Sequence, residues 1–193
     1  MSSTEAGRGS STDIGLRPRA TIVMLEAGKG ANSGVKAMPG PMGFDPLTLP
    51  ESNATSYPEP YRAENRRRWN RRLGDRAGLR NFGVNLTRIV PGGQSSHRHA
   101  HTRQDEFIYV LEGRVELETD AGTEVLRAGM CAGFPAGSGI AHRFANRSAA
   151  DVLLLVVGDR TAGDEVSYPD IDMHGRMGPD GKYAFTHKDG RPY

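Results

Sequence analysis

Residues 92–113 read GGQSSHRHAHTRQDEFIYVLEG, and three of the six histidines lie within five positions of this stretch. His99 and His101 are two residues apart. Because successive side chains on a strand point to opposite faces, a strand would direct both imidazoles to the same side. Glu106 lies an odd number of residues after His101, so the polar run between them must turn or bulge before a new strand opens at Glu106. The stretch therefore predicts two histidines and one carboxylate around a single hairpin-rich site.

The order and spacing of these residues resemble the first motif of the cupin superfamily. The matching positions are Gly93, His99, His101, Glu106 and Gly113. The rest of the chain supplies a second resemblance.

Residues 129–146 resemble the second cupin motif, with matching positions at Gly129, Pro135, Gly137, His142 and Asn146. The turn between Gly137 and His142 holds four residues instead of the family's usual pair, so it is longer. The spacing from His142 to Asn146 follows the family.

The resemblance covers residues 80 to 160 and implies an all-β fold, the double-stranded β-helix that is also called a jelly roll or cupin barrel. It implies that His99, His101, Glu106 and His142 bind a metal. It indicates no substrate, because cupins host many unrelated functions and function must be argued from the site.

The residues from Asn81 onwards predict the same fold without the resemblance. Short apolar segments alternate with Gly-bearing turns and show almost no helical periodicity, which is typical of an antiparallel barrel or sandwich. The segment DVLLLVVG, residues 151–158, is apolar on both faces and is expected to lie centrally. On the strand that begins at Glu106, the side chains of Ile108 and Val110 are expected to point to the same inner face as Glu106.

The flanking segments predict less regular structure. We expect a disordered N-terminus over 1–20, and an irregular extension over 21–80 that includes a possible edge strand at Thr21 to Leu25. The cupin β-barrel is expected over 81–160, with a C-terminal tail packed on it over 161–193.

Residues 61–80 contain eight arginines and are expected to form a short helix that ends near Gly74 or Gly78, with Trp69 and Leu73 on one side. Clustered guanidinium groups also suggest phosphate binding. We favour a solvated helix over a nucleic-acid site, because acidic residues interrupt the run and no stacking aromatic pattern accompanies it. A third interpretation pairs some arginines with acidic groups elsewhere in the fold or across a subunit boundary.

Composition predicts one globular domain in the cytoplasm. The chain has 193 residues, 36% hydrophobic content and a net charge of +2. Cys131 is the only cysteine and is expected to be a small core residue. The first residues lack the apolar region of a signal peptide, and no run approaches the ~20 apolar residues that span a bilayer, so we expect no membrane partner.

Three imidazoles and one carboxylate suit a single divalent transition metal ion per chain, with Fe, Mn, Co, Ni and Zn all compatible. Around it we expect contacts to a small-molecule ligand from Ile108, Phe134 and Phe144, with His97 at the rim of the site. Gln104 and Asn146 are either hydrogen-bond partners of the ligands or, for Asn146, a turn former.

Two classes of function remain open. The first is a metal-dependent enzyme acting on a small organic molecule as a dioxygenase, isomerase, lyase or hydrolase. The second is a non-catalytic cupin that binds or senses a ligand. Phe107, Tyr109 and Leu111 are expected to point outwards and to form an apolar sheet face, which either the chain's own extensions or a partner subunit would cover. Since cupins commonly pair through such a face, we expect a homodimer whose interface includes strand contacts or exchanged N-terminal segments.

Overall fold

A computed structural model describes residues 42–193. The expected disordered N-terminus and the edge strand at Thr21 to Leu25 lie outside the described residues. Two 3₁₀ turns, Pro46–Thr48 and Ala63–Arg67, and one α-helical turn, α1 (Leu73–Arg76), precede most of the strands. No helix within 42–193 has the length and apolar character needed to cross a membrane.

The strands account for most of the regular structure. They are β1 (Arg68–Arg72), β2 (Phe82–Ile89), β3 (Ala100–His101), β4 (Glu106–Glu112), β5 (Arg114–Thr119), β6 (Gly122–Arg127), β7 (Cys131–Phe134), β8 (His142–Ala145), β9 (Val152–Asp159), β10 (Glu165–Tyr168), β11 (Met173–Met177) and β12 (Tyr183–Thr186).

These strands form antiparallel sheets with the orders β1-β2-β9-β4-β7, β12-β11-β10-β3 and β6-β5-β8. The antiparallel pairing confirms the predicted all-β jelly-roll barrel. The apolar strand β9 lies in the middle of the five-stranded sheet, as expected, between β2 and β4.

The alternation of β4 positions the core. Ile108 and Val110 are buried on the inner face and pack with residues of β2, β5, β8 and β9, among them Ile89, Leu154 and Phe144. Full burial of one such side chain stabilises a fold by about 1.5–3 kcal/mol, so this cluster holds the sheets together. The inward parity of Glu106, Ile108 and Val110 is confirmed.

The prediction of one short helix over residues 61–80 is wrong. Arg68–Arg72 instead form β1, which pairs with β2 in a register that places Asn70 beside Thr87. Trp69 lies on this strand, although its spacing from Leu73 is compatible with a helix. The backbone hydrogen bonds between β1 and β2 therefore outweigh the local helical preference. Helical geometry survives only in the turns on either side of β1.

Some of the arginines pair with acidic side chains of the same chain, in line with the third interpretation. Arg71 lies 3.9 Å from Glu51, and Arg88 of the neighbouring strand binds Glu51 at 2.7 Å.

Residues 161–193 are more regular than the expected tail. Strands β10, β11 and β12 extend the sheet that contains β3, with Val166 opposite His101. A second apolar cluster of Tyr57, Val166, Tyr168 and Met173 packs against these strands. It fastens the segment before β1 to the C-terminal strands.

The outer face of the five-stranded sheet carries exposed apolar side chains. Phe107, Tyr109 and Leu111 are 44%, 37% and 39% exposed, which confirms their predicted outward parity. Cys131 pairs with Tyr109 and is exposed on this face, so the expectation of a core cysteine is wrong.

We predict that two copies of the chain cover this face. At ~25 cal/mol per Å² of apolar surface, its burial stabilises a dimer by several kcal/mol. Light scattering at micromolar concentration should give twice the chain mass, and Tyr109→Glu should give the monomer. A monomeric mass for the unmodified protein would contradict the prediction.

Candidate metal centre

The centre lies where the sheets meet. Glu106 opens β4 of the five-stranded sheet, His142 opens β8 of the three-stranded sheet, and His101 ends β3 of the four-stranded sheet. His99 precedes β3 and bridges to His142, with its N–H 3.1 Å from the His142 carbonyl and the reverse bond at 2.9 Å. This bridge brings His99 and His101 of the first motif close to His142 of the second motif.

The imidazoles converge on one carboxylate oxygen. Oε2 of Glu106 lies 2.9 Å from Nε2 of His142, 3.4 Å from Nε2 of His99 and 3.9 Å from Nε2 of His101. His99, Glu106 and His142 each offer a ligand atom within 4.8 Å of the others. Two ligands held at right angles about 2.1 Å from a metal lie about 3 Å apart, so His99, Glu106 and His142 fit one ion, and His101 is a more distant fourth candidate.

The hydrogen bonds at Nδ1 also suit ligation through Nε2. His99 Nδ1 lies 3.0 Å from the His97 carbonyl, and His142 Nδ1 lies 3.4 Å from the Ile140 carbonyl. His101 Nδ1 lies 2.6 Å from Oδ2 of Asp164. An Nδ1–H that donates to oxygen leaves the lone pair on Nε2, which is the tautomer that a metal requires.

Asp164 holds the His101 imidazole in place through Nδ1. Its fully buried carboxylate also accepts hydrogen bonds from the Tyr183 hydroxyl and from the backbone N–H of Arg103, both at 2.7 Å. Burial alone would raise the pKa of Asp164, but these hydrogen bonds and the bond from His101 lower it below the usual value. Asp164 therefore stays ionised and orients the imidazole.

The electrostatics of Glu106 show how strongly the histidines act on it. Burial disfavours the carboxylate, yet hydrogen bonds from protonated Nε2 atoms of His142 and His99, whose protons a metal ion would replace, and the nearby imidazoles bring its pKa well below the usual value. Glu106 is thus an anion at neutral pH and is available to a cation.

A cavity of about 300 Å³ opens above these residues. Its apolar wall includes Ile108, Phe144, Leu154 and Val156, and its polar wall includes Asn70, Asn85, Thr87 and the tyrosines 57, 168 and 183. Burial raises the pKa of Tyr168 well above its usual value, and the neighbouring Tyr57 contributes to this rise. The hydroxyl therefore remains protonated and can donate a hydrogen bond.

Comparison with known proteins identifies the family. The model of the Cupin domain matches residues 85–158. A solved structure described as a sugar phosphate isomerase of the cupin superfamily from Silicibacter pomeroyi is 42% identical, with 78% of this chain and 96% of that chain covered and a TM-score of 0.75. The chain belongs to the cupin superfamily.

A second solved cupin-like structure is more distant. It is described as a putative sugar phosphate isomerase from Acidithiobacillus ferrooxidans and is 30% identical, covering 65% of this chain and 80% of that chain with a TM-score of 0.59. A search of curated proteins gave no match.

The cupin site gathers most of the residues that the sequence predicted. His99, His101, Glu106 and His142 lie together, and Ile108 and Phe144 line the cavity. Phe134 lies behind His142, with its ring stacked on the imidazole at 3.4 Å between centroids. It supports a candidate ligand, and it is not part of the main cavity wall.

His97 does not lie where we expected it. The ring is buried, packs edge-on against Tyr57 and Tyr61, and is absent from the lining of the cavity. Nε2 of His97 lies 3.4 Å from the Tyr61 carbonyl, and this contact turns the ring away from the rim of the cavity, where we expected it.

Asn146 is a turn former. It is fully buried and donates to the carbonyls of Ile89 and Ala150, each at 2.8 Å. Gln104 contacts the Tyr183 hydroxyl at 3.1 Å, so it supports the partner of Asp164.

The sequence patterns did not indicate Arg68, Asn70 or Asp164 as residues of the site. Alternation along a strand would have placed Arg68 and Asn70 on one face, but the segment was interpreted as a helix. Asp164 lies 63 residues after His101, and no local spacing connects the two.

We predict about one transition-metal ion per purified chain. The double replacement of His99 and His101 with Ala should remove it, because two of four nitrogen and oxygen ligands are lost. Elemental analysis measures the content, and His187→Ala is the control, since His187 pairs with Asp172 away from the centre. An unchanged metal content in the double variant would contradict the site assignment.

We predict that Asp164→Asn weakens metal binding less than the double replacement of His99 and His101 does. Loss of the carboxylate partner of a metal-binding imidazole typically weakens metal affinity 10–100-fold. Competition with a metal chelator should show this range while the circular dichroism spectrum keeps its β signature. Affinity equal to that of the unmodified protein would show that His101 does not need Asp164.

Proposed function

We propose that this cupin is a metal-dependent isomerase of a small hydroxylated carbonyl compound of the sugar phosphate type. The observation that carries the proposal is a carboxylate with three imidazoles at the base of a 300 Å³ cavity whose wall is rich in hydroxyl and amide groups. A polyhydroxylated substrate needs such a wall, because each buried hydroxyl requires a hydrogen-bond partner. The descriptions of the two related structures favour the same class.

In this proposal, His99, His101, Glu106 and His142 hold one divalent ion. A six-coordinate ion bound by four protein ligands has two positions left for the substrate. When bound, the ion supplies Lewis-acid polarisation of a carbonyl group.

The remaining residues bind and orient the substrate. The protonated Tyr57 and Tyr168 hydroxyls donate or accept hydrogen bonds at the cavity wall, since burial raises the pKa of both. Ile108 and Phe144 exclude water from the same space, which strengthens the polar contacts inside it.

The alternative function is a cupin that binds a ligand without turning it over. The complete set of four candidate ligands favours catalysis, because cupins that only bind a ligand often lose some of these residues. Turnover by the metal-loaded protein separates the two functions.

We predict that Glu106→Gln impairs turnover about 100-fold or more while the fold persists. The charge of the carboxylate sets the charge of the centre, whereas the barrel depends on apolar packing. The assay follows interconversion of aldose and ketose phosphates by nuclear magnetic resonance, with the melting temperature measured in parallel.

The control is Glu112→Gln, on the same strand but exposed, which should retain full activity. An isomerase activity that survives Glu106→Gln would place the chemistry elsewhere. Ligand binding without turnover by the unmodified protein would support the alternative function.

A further inference from the structure

The cavity wall contains a cation that the metal centre does not use. Arg68 on β1 points inward and lines the cavity. Its Nη1 donates to the Ser95 carbonyl, and its buried Nε has no hydrogen-bond partner among the described residues. The guanidinium therefore keeps unused donor capacity inside the protein.

Several other partly buried arginines within the described residues are neutralised by carboxylates. Arg88 binds both Glu51 and Asp151, Arg98 binds Asp120 and Asp170, and Arg143 binds Glu118. Arg68 makes no such pair within residues 42–193. Since a buried unpaired charge is destabilising, its placement here requires another explanation.

The charge persists despite burial. Burial lowers the pKa of Arg68, and the nearby Tyr57 and Glu106 raise it. A guanidinium is protonated in proteins under ordinary conditions, so the cavity holds a permanent positive charge.

The neighbours of Arg68 add further donors. The Asn70 amide oxygen accepts a hydrogen bond from the Thr87 hydroxyl at 2.7 Å, which leaves its NH₂ group for the cavity. Asn85 lines the cavity beside them on β2. The β1–β2 wall thus presents N–H groups from a guanidinium and amides.

The candidate metal centre and this wall line the same cavity. Strand β9 separates β2 from β4, and its inward Leu154 and Val156 form an apolar strip between the two polar regions. Arg68 donates to the Ser95 carbonyl, and the adjacent Ser96 hydroxyl lies 3.1 Å from Nδ1 of His99, so one small molecule in the cavity can reach both regions.

The charge balance of the cavity favours an anion. Glu106 is the acidic residue of the lining, and Arg68 is the residue with a permanent positive charge. A divalent ion at the centre would more than neutralise Glu106, leaving the charge of Arg68 without a counterpart.

We propose that Arg68, with the Asn70 amide, forms an oxyanion-binding subsite that holds the phosphate of the substrate while the opposite end reaches the metal centre. The identity of the anion as a phosphate rests on the proposed function. The subsite itself rests on the buried guanidinium and the donors beside it. A planar guanidinium can bind two phosphate oxygens at once, which orients the substrate as well as holding it.

The test compares Arg68→Met with the unmodified, metal-loaded chain by calorimetric titration of glucose 6-phosphate, glucose, inorganic phosphate and malonate. The unmodified protein should bind glucose 6-phosphate at least about tenfold more tightly than glucose, and Arg68→Met should weaken phosphate binding about 10–100-fold. Arg68→Lys should fall between them, because it keeps the charge and loses the planar donor pair. Metal content should stay unchanged in both variants.

The matched control is Arg72→Met. Arg72 lies on the same strand, and its side chain is 73% exposed. Its replacement should leave every affinity unchanged. A drop equal to that of Arg68→Met would assign the effect to general surface charge and overturn the subsite.

The outcomes separate this inference from the proposed function. If glucose 6-phosphate does not bind but inorganic phosphate or malonate binds in an Arg68-dependent way, the subsite stands and the sugar phosphate does not. If Arg68→Met binds all probes as the unmodified protein does, or if the unmodified protein binds no anion, the subsite is overturned even where isomerase activity is found.

A second variant covers the case in which Arg68→Met fails to fold. Asn70→Asp places a negative charge beside the guanidinium and should weaken phosphate binding at least about tenfold, with glucose binding little changed. Unchanged phosphate affinity in this variant would also overturn the subsite.

Discussion

The buried carboxylate of Glu106 is the constraint on which the site depends. A carboxylate withdrawn from water is stable only when cationic groups or hydrogen-bond donors surround it. Here Nε2 atoms of His99 and His142 lie 3.4 and 2.9 Å from Oε2, and each histidine belongs to a different part of the barrel. The pairing of His99 with His142 thus satisfies four backbone groups, two N–H and two carbonyls, and gives the carboxylate its partners at the same time.

The same constraint explains why the barrel and the site form together. Glu106 begins the strand whose next inward residues, Ile108 and Val110, enter the main core. Since side chains alternate along β4, a shift of one residue would expose these apolar groups and bury Phe107 and Tyr109. Apolar packing therefore fixes the register that aims the carboxylate at the histidines.

This coupling is why local patterns in the sequence could bring the four candidate ligands together. The spacing of His99 and His101, the parity of β4 and the central position of β9 all follow from local alternation, and each is seen in the structure. The strand Arg68–Arg72 was missed because the spacing of Trp69 and Leu73 is compatible with a helix, and only its pairing with β2 decides between the two. Asp164 was missed for a related reason, since the strand that follows it meets β3 only in the folded sheet.

The four candidate metal ligands and most of the polar cavity wall come from different parts of the chain. All four candidate ligands lie within the Cupin domain match of residues 85–158, whereas Arg68 and Tyr57 precede it and Asp164 and Tyr183 follow it. The second apolar cluster joins Tyr57 to Tyr168 and so holds these flanking segments over the barrel. Proteins that share only the barrel can therefore share the metal chemistry without sharing the substrate. In the proposed function, the flanking segments select the substrate, because they place a cation and hydrogen-bond donors in the cavity wall.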